Sequence, residues 1–304
     1  MRPFSAIGRR LAAAPGNVQG MLWMVLVTLC WMSMQAGVRS LSGALHPFEI
    51  AFFRNLFGIL VLAPIFVTEG LGVFRTRRPA LHGLRSVVQA FGMVCTFLAL
   101  SLIPIANVTA LSFSSPVIAT IGAALILGEK VRLRRWTAVI CGFLGVLIVL
   151  RPGFAAVSLG HILVLSASTT WASCILMIRV LGRTESSATS TAYMAVLTTA
   201  VTLFPALFVW KTPTPEELLW LAGIGLLGTA GHFAFAQALR KAEATAVLPI
   251  DFLRLVWATL YGWLLFSEPP DLWTWVGGAV IFTSATYIAF REAQVKKLKT
   301  TPHG

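Results

Sequence analysis

Residues 99–143 read ALSLIPIANVTALSFSSPVIATIGAALILGEKVRLRRWTAVICGF, and residues 238–282 read ALRKAEATAVLPIDFLRLVWATLYGWLLFSEPPDLWTWVGGAVIF. The two stretches align 139 positions apart without a gap. The identical pairs include Ala99 and Ala238, Leu100 and Leu239, Val108 and Val247, Phe113 and Phe252, Val117 and Val256, Ala119 and Ala258, Thr120 and Thr259, Leu125 and Leu264, Glu129 and Glu268, and Trp136 and Trp275. The chain therefore contains an internal repeat.

The loop after the shared glutamate differs in charge between the two copies. After Glu129 the first copy continues KVRLRR, whereas after Glu268 the second copy continues PPD. Loops rich in Lys and Arg stay in the cytoplasm. The two copies are therefore predicted to cross a membrane in opposite directions, as inverted repeats do.

The composition is that of an integral membrane protein. Of the 304 residues, 57% are hydrophobic and 12% are charged, which is more apolar surface than a soluble fold of this size needs to bury. The formal net charge is +13, but the basic residues form small clusters between apolar segments and no continuous stripe. The expected partners are therefore a lipid bilayer and a small-molecule substrate, and nucleic acid is not expected.

No cofactor, metal or catalytic nucleophile is predicted. The four cysteines lie inside apolar segments without CxxC spacing, and no Walker A sequence is present.

The N-terminus resembles a secretory signal peptide, because basic residues precede an apolar run. A signal peptidase site of small residues would follow the apolar run, but the Ala12–Ala14 stretch comes before it. The first apolar segment is therefore expected to be retained.

Ten segments approach the roughly 20 apolar residues that a helix needs to cross a bilayer. They are residues 21–41, 48–67, 82–103, 107–127, 135–150, 159–181, 188–210, 218–239, 245–266 and 272–290. The fifth is short, since its helix would reach only about 22 Å. The sequence thus predicts an all-α membrane protein of ten transmembrane helices in two inverted five-helix repeats.

The basic residues specify the orientation strongly. With the N-terminus inside, nineteen of the 24 Lys and Arg residues fall on cytoplasmic loops and helix ends, and three fall outside. Five helices per repeat is an odd number, so the second repeat must begin on the opposite side. The predicted parts are a cytoplasmic tail at 1–20, a first repeat at 21–152, a second repeat at 153–290 and a basic cytoplasmic tail at 291–304.

Ionisable side chains inside a bilayer are costly and need a partner or a wet cavity. Five are candidates for the functional site: Glu49, Arg54, His232, Asp251 and Arg254. Asp251 and Arg254 are three residues apart, so they share a helix face and can pair. Glu49 and Arg54 stand near the outer start of the second span, and we assign them mainly to a gate or a brace, with contact to the substrate as the alternative.

Two interpretations of the second-repeat charges stay open. In the first, Arg254 attracts an anionic group while Asp251 and His232 recognise a cationic group or relay a proton. In the second, Asp251 and Arg254 form a structural ion pair that holds the ninth span against its neighbours. The first repeat has Ser112 and Ser115 at the equivalent positions, and we include both in the candidate binding site.

Trp31 and Trp171 lie in mid-span and occupy matching repeat positions, each eight residues before an arginine. Most membrane tryptophans sit at the interfaces, so these two are candidates for cavity walls around a planar or cationic ligand, with plain packing as the alternative. Gln35 and Gln89 add hydrogen-bonding groups at mid-membrane depth, either for a ligand or between helices.

Two prolines and three glycines predict helix geometry. Pro116 and Pro249 each remove an intrahelical hydrogen bond, so the fourth and ninth spans are expected to bend. Gly225, Gly228 and Gly231 recur every three residues on the eighth span and predict a close approach of a neighbouring helix.

Three stretches carry a likeness to a known family: HPFEIAFFR at 46–54, residues 106–145 with Gly128 and Glu129, and residues 244–268. In these stretches the sequence resembles the EamA family of the drug/metabolite transporter superfamily. It is most similar to the branch with bacterial S-adenosylmethionine carriers, related to riboflavin and amino-acid carriers and metallophore exporters. The family's Gly-Glu turn is present at Gly128, but the second copy has Ser267 before Glu268.

The resemblance implies ten helices in two EamA repeats and residence in the bacterial inner membrane. It also implies a central cavity lined by spans one, three, four, six, eight and nine. The resulting hypothesis is a secondary transporter that moves a small polar, zwitterionic metabolite by alternating access. An uncoupled exchanger, an intramembrane enzyme and a non-transporting scaffold are the alternatives.

Overall fold

The structure, a computed structural model, describes residues 16–126, 133–151, 156–181, 184–242, 247–269 and 271–300. The basic loop after Glu129 and the ends of both tails lie outside these residues. The described α-helices are α1 Gly16–Leu41, α2 Pro47–Glu69, α3 Pro79–Leu102, α4 Ile105–Ser112, α5 Ser115–Ile126, α6 Leu133–Leu150, α7 Leu159–Leu181, α8 Ser187–Leu207, α9 Pro215–Lys241, α10 Leu253–Phe266 and α11 Leu272–Thr300.

Six helical segments in this part of the chain are long and apolar enough to cross a membrane. They are Gly16–Leu41, Pro79–Leu102, Ile105–Gly122, Leu159–Ile178, Thr189–Leu207 and Pro215–Lys241. Two shorter apolar helices are Trp136–Leu150 and Leu272–Ser284, and the first of them is the short fifth segment that the sequence predicts. The all-helical membrane class is confirmed, and the count of ten spans stays a prediction.

The bundle presents apolar side chains on its outer surface. Leu125, Phe204 and Leu219 are 76%, 67% and 75% exposed, respectively. In a water-soluble protein such a surface would have to be covered. Here it is the surface that hydrocarbon solvates.

A proline lies in the first turn of the helix that follows each interruption in the fourth and ninth predicted spans. The fourth predicted span is interrupted between α4 and α5, with Pro116 in the first turn of α5. The ninth begins with a 3-10 helix, Leu248–Phe252, which has Pro249 in its first turn and continues into α10. Because proline has no N–H, it fits the first turn of a helix but interrupts a continuous one.

The helices of each repeat pack against helices of the other repeat in a reciprocal pattern. The first helix of repeat one, α1, packs closely on the third helix of repeat two, α9, and α3 of repeat one packs on α7, the first helix of repeat two. The equivalent helices α2 and α8, α4 and α10, and α6 and α11 pack on each other. This reciprocity is what a two-fold axis relating the repeats produces.

The two breaks meet at this axis. Phe113, between α4 and α5, stacks on Phe252, the last residue of the 3-10 helix before α10, with ring centroids 6.0 Å apart and an interplanar angle of 27°. These are repeat-equivalent residues, 139 positions apart. The interruptions of the two repeats therefore lie next to each other.

Candidate functional site

Arg254 lies beside the helix breaks and is paired. Its guanidinium forms an ion pair with Asp251, three residues earlier, and both side chains are 17% exposed. The central guanidinium carbon lies 4.9 Å from the ring centroid of Phe113 and 5.8 Å from that of Trp31. The pairing that the sequence spacing allows is therefore present, and two aromatic rings border it.

Trp31 links this ion pair to helix α9. Its ring centroid is 5.5 Å from that of His232 and 5.7 Å from that of Phe235. Gly231 makes room for the indole, since a Cβ at that position would lie 2.4 Å from two atoms of the ring. Trp31 therefore packs directly on α9 and lies near both His232 and Arg254.

Arg54 reaches the same region from helix α2. Its Nη1 donates a hydrogen bond of 2.9 Å to Oδ1 of Asn55. A Cβ added to Gly228 would lie 2.9 Å from Nε and Nη2 of Arg54 and 2.9 Å from the sulfur of Met34. The guanidinium thus lies over the glycine that is one helical turn before His232.

Several enclosed polar atoms in this region have no hydrogen-bond partner. They are Oε1 of Gln35, Nε of Arg54, Oδ1 of Asp251 and Nε of Arg254. Buried polar groups in folded proteins are nearly always hydrogen-bonded, so each exception calls for an explanation. A polar ligand is a group that would satisfy such atoms. We call Trp31, Arg54, His232, Asp251 and Arg254 the charged cluster.

The two serines among the predicted binding residues use their hydroxyl groups locally. Ser112 donates to the carbonyl oxygen of Val108 at 2.7 Å, and Ser115 donates to that of Ser112 at 2.9 Å. These bonds satisfy carbonyl oxygens at the break between α4 and α5. Each hydroxyl oxygen can still accept a hydrogen bond from a ligand.

Trp171 of the second repeat and Gln89 of the first lie apart from the ring contacts of the charged cluster. Trp171 on α7 is 42% exposed and makes no ring contact with any described residue. Gln89 is partly buried on α3, one turn before Met93, whose sulfur accepts a hydrogen bond from Asn55 at 3.5 Å. The structure does not bring the two tryptophans together, and facing cavity walls stay a prediction.

Three carboxylates hold one end of the bundle together. Glu268, Asp271 and Glu49 define what we call the carboxylate end. Glu268 forms an ion pair with Arg39, and its Oε2 accepts a hydrogen bond of 3.2 Å from the backbone N–H of Ile105. Arg39 also donates to the carbonyl oxygen of Leu100 at 2.6 Å. These contacts join helices α1, α3, α4 and α10.

The other two carboxylates extend these contacts. Asp271 pairs with Arg151 at 3.1 Å and accepts a hydrogen bond of 3.1 Å from the backbone N–H of Thr274. Glu49 is fully buried and accepts a hydrogen bond of 2.7 Å from the backbone N–H of Lys211. Glu49 therefore makes a contact of the kind expected of a brace, and it does not pair with Arg54.

Sequence reasoning missed Arg39 and Asn55. The spacing of Trp31 and Arg39 recurs in the second repeat, and Glu268 matches Glu129. Neither pattern predicts that Arg39 and Glu268, which are 229 positions apart, form a contact. Among the described residues, no three His, Cys, Asp or Glu side chains cluster closely enough to hold a metal ion. The charged cluster offers both signs of charge and aromatic surface to a ligand.

The chain matches the EamA-like transporter family twice, over residues 18–151 and 158–290. The repeat bounds that the sequence suggests, 21–152 and 153–290, stay a prediction. A solved crystal structure with 18% sequence identity has a TM-score of 0.60, covering 90% of this chain and 98% of the other. That likeness concerns the fold alone.

Similar proteins of known name span nearly the same length. The S-adenosylmethionine uptake transporter of Rickettsia bellii is 30% identical, covering 92% of this chain and 96% of that protein. The riboflavin transporter of Vibrio cholerae is 33% identical, over 89% of this chain and 93% of that protein. The pseudopaline exporter CntI of Pseudomonas aeruginosa is 29% identical, over 86% and 93%.

Proposed function

Because the chain belongs to the EamA-like transporter family, and is therefore a membrane transporter of small metabolites and no enzyme, we propose that it works by alternating access. In this proposal two inverted five-helix repeats, ten spans in all, expose one central site to either side of the membrane in turn. The substrate is a small polar metabolite, and transport uses no cofactor.

The observation that carries the proposal is the set of unpartnered polar atoms where the interrupted helices meet. Interrupted helices at the junction of two repeats are typical of the binding sites of secondary transporters. Gln35, Arg54, Asp251 and Arg254 each contribute one enclosed atom without a hydrogen bond. A bound metabolite would supply the missing partners.

The charges support a zwitterionic substrate. The cluster contains one carboxylate, Asp251, and the guanidinium groups of Arg54 and Arg254. The relatives named above carry S-adenosylmethionine, riboflavin or pseudopaline according to their names. We propose a substrate of this size and polarity for this chain, with S-adenosylmethionine as the first compound to test.

We also propose a place and orientation in the cell. The protein resides in a bacterial inner membrane with both termini in the cytoplasm, because the basic loops and tails then lie inside. The carboxylate end would then face the periplasm. Proton coupling through His232 and uncoupled exchange are both compatible with the charged cluster.

The test is flux in reconstituted vesicles. Wild-type protein should exchange internal for external radiolabelled S-adenosylmethionine or riboflavin with saturation. The double variant Asp251→Asn/Arg254→Gln removes the ion pair without leaving either charge alone, and we expect it to reduce flux at least roughly tenfold, as loss of a charged hydrogen bond would. Arg240→Gln removes an exposed arginine on the same bundle and serves as the control.

Other outcomes would support a different function or a different site. Binding without flux would support a receptor or scaffold, and flux that is unchanged in the double variant would remove the ion pair from the site. Repeating the wild-type measurement over a range of external pH separates proton coupling from uncoupled exchange, because an uncoupled exchanger of an untitrated substrate shows no dependence on the proton gradient.

A further inference from the structure

The arginines of this bundle differ in how their charge is compensated. Arg39, Arg151 and Arg254 each pair with a carboxylate. Arg54, by contrast, pairs with none of the carboxylates that the structure describes, although its Nε is enclosed. Arg85, another arginine without a carboxylate, lies near the first turns of α3 and α8 and donates to the carbonyl oxygen of Ser190 at 3.4 Å.

The surroundings of Arg54 hold the guanidinium in position and leave part of it free. Asn55 accepts from Nη1, and its own amide is anchored by donation to the carbonyl oxygen of Ala51 at 2.9 Å. The enclosed Nε has no partner. The residue as a whole is only partly buried.

The glycines of α9 give Arg54 its place in the charged cluster. Gly225 admits the backbone of α2, since a Cβ there would lie 3.1 Å from the carbonyl oxygen of Arg54. Gly228 admits the guanidinium, and Gly231 admits the ring of Trp31. Arg54, Trp31 and His232 thus lie together in one groove between α1, α2 and α9.

The energetics favour a ligand for this charge. An ionised side chain within a membrane helix is costly, and a partner reduces that cost. Asp251 supplies the partner for Arg254, so that pair has no net charge to offer. The guanidinium of Arg54 can form two parallel hydrogen bonds with a carboxylate or phosphate, which Lys cannot reproduce.

We propose that Arg54, held by Asn55 and bordered by Trp31 and His232, binds the carboxylate or phosphate of the transported metabolite. This proposal rests on the transport function proposed above. It assigns the role of anion recognition to Arg54 in the first repeat, whereas the sequence suggests Arg254. Asn55 is a positioning residue, and the Arg254–Asp251 pair is left for the remaining polar groups of the substrate.

The experiment compares probes that differ by one anionic group. Purified protein is titrated with S-adenosylmethionine and its decarboxylated form, and with flavin mononucleotide and riboflavin, and the thermal stabilisation is measured. In at least one of the two pairs, the compound with the carboxylate or phosphate should bind roughly 10- to 100-fold more tightly than the compound without it. This is the range expected for a charged hydrogen bond. Arg54→Gln should remove that difference, Arg54→Lys should retain part of it, and Arg240→Gln should leave it unchanged.

A second measurement needs no ligand. Arg54→Gln removes an uncompensated buried charge, so the empty variant should melt at or above the temperature of the empty wild type. A structural brace would behave in the opposite way, and a lower melting temperature of Arg54→Gln would overturn the proposal. The proposal would also be overturned if neither compound with a carboxylate or phosphate binds, or if the two compounds of each pair bind equally.

The vesicle assay separates this proposal from the transport function. Flux of a metabolite that Arg54→Gln leaves unchanged would overturn the role of Arg54 while the transport function stands. A charge preference in binding that depends on Arg54, without flux of any probe, would support the anion site and contradict transport.

Discussion

Asp251 compensates the charge of Arg254 where each side chain is only 17% exposed. Removing one member of such a pair leaves the other charge uncompensated, which is far more costly than removing both. We therefore expect Asp251→Asn to lower the free energy of unfolding by about 3 kcal/mol. The measurement is chemical denaturation in detergent micelles.

The matched control is the double variant Asp251→Asn/Arg254→Gln, which should recover most of the lost stability. If the single variant is as stable as the wild type, Arg254 finds another counter-charge and the pair has no structural role. The double variant would still test, in the flux measurement, whether the ion pair belongs to the binding site.

Single residues differ in how far the sequence predicts their surroundings. The Arg254–Asp251 pair follows from a spacing of three on one helix, because helix geometry alone brings such residues together. The groove around Arg54 depends on two glycines of α9, about 170 positions further along the chain. No local rule relates them, so the sequence reveals the arginine and the glycines separately but not their contact.

At the scale of helices, the glycine stripe of α9 sets how closely α2 can approach. A Cβ at Gly225 would lie 2.6 Å from the Cβ of Phe57 and 3.1 Å from the backbone oxygen of Arg54, so a helix must shift. We expect Gly225→Ala to lower the free energy of unfolding by about 1–3 kcal/mol, as overpacking does. Thermal unfolding in detergent measures the change.

Gly223 provides the control on the same helix, because a Cβ there meets nothing within 4 Å. Gly223→Ala should be neutral or slightly stabilising, since alanine favours a helix over glycine by about 1 kcal/mol. Equal effects of the two substitutions would mean that helix propensity, and not the contact with α2, determines the result.

The interrupted helices show what element-level reasoning can and cannot predict. Pro116 and Pro249 predict bends in the fourth and ninth spans, and the structure has a break or a 3-10 helix at both places. The stacking of Phe113 on Phe252 could not be predicted in this way. It requires the two repeats to be docked, which depends on packing over the whole bundle.

For the whole molecule, the inverted arrangement of the repeats predicts opposite locations for two equivalent loops. In a variant without native cysteines, a single cysteine at Pro270 should react with a membrane-impermeant maleimide added outside cells made permeable at the outer membrane. A single cysteine at Lys130 should react only after the inner membrane is opened. The reason is that the loop with the basic residues is retained in the cytoplasm.

Labelling of both positions from one side would contradict the inverted arrangement and with it the alternating-access proposal. The family membership and the helical fold would be unaffected. The control is the same pair of variants labelled after detergent solubilisation, where both cysteines should react fully and so report that neither position is hidden by folding.

The stacked rings of Phe113 and Phe252 lie where the two halves of the molecule meet. If an in-plane two-fold axis passes between them, reversing the carrier exchanges one ring for the other and leaves their shared environment the same. A change of bulk at this spot would then alter the turnover rate in both directions alike. Any directional bias must come from unmatched positions, such as Arg254 and Asp251, where the other repeat has serines.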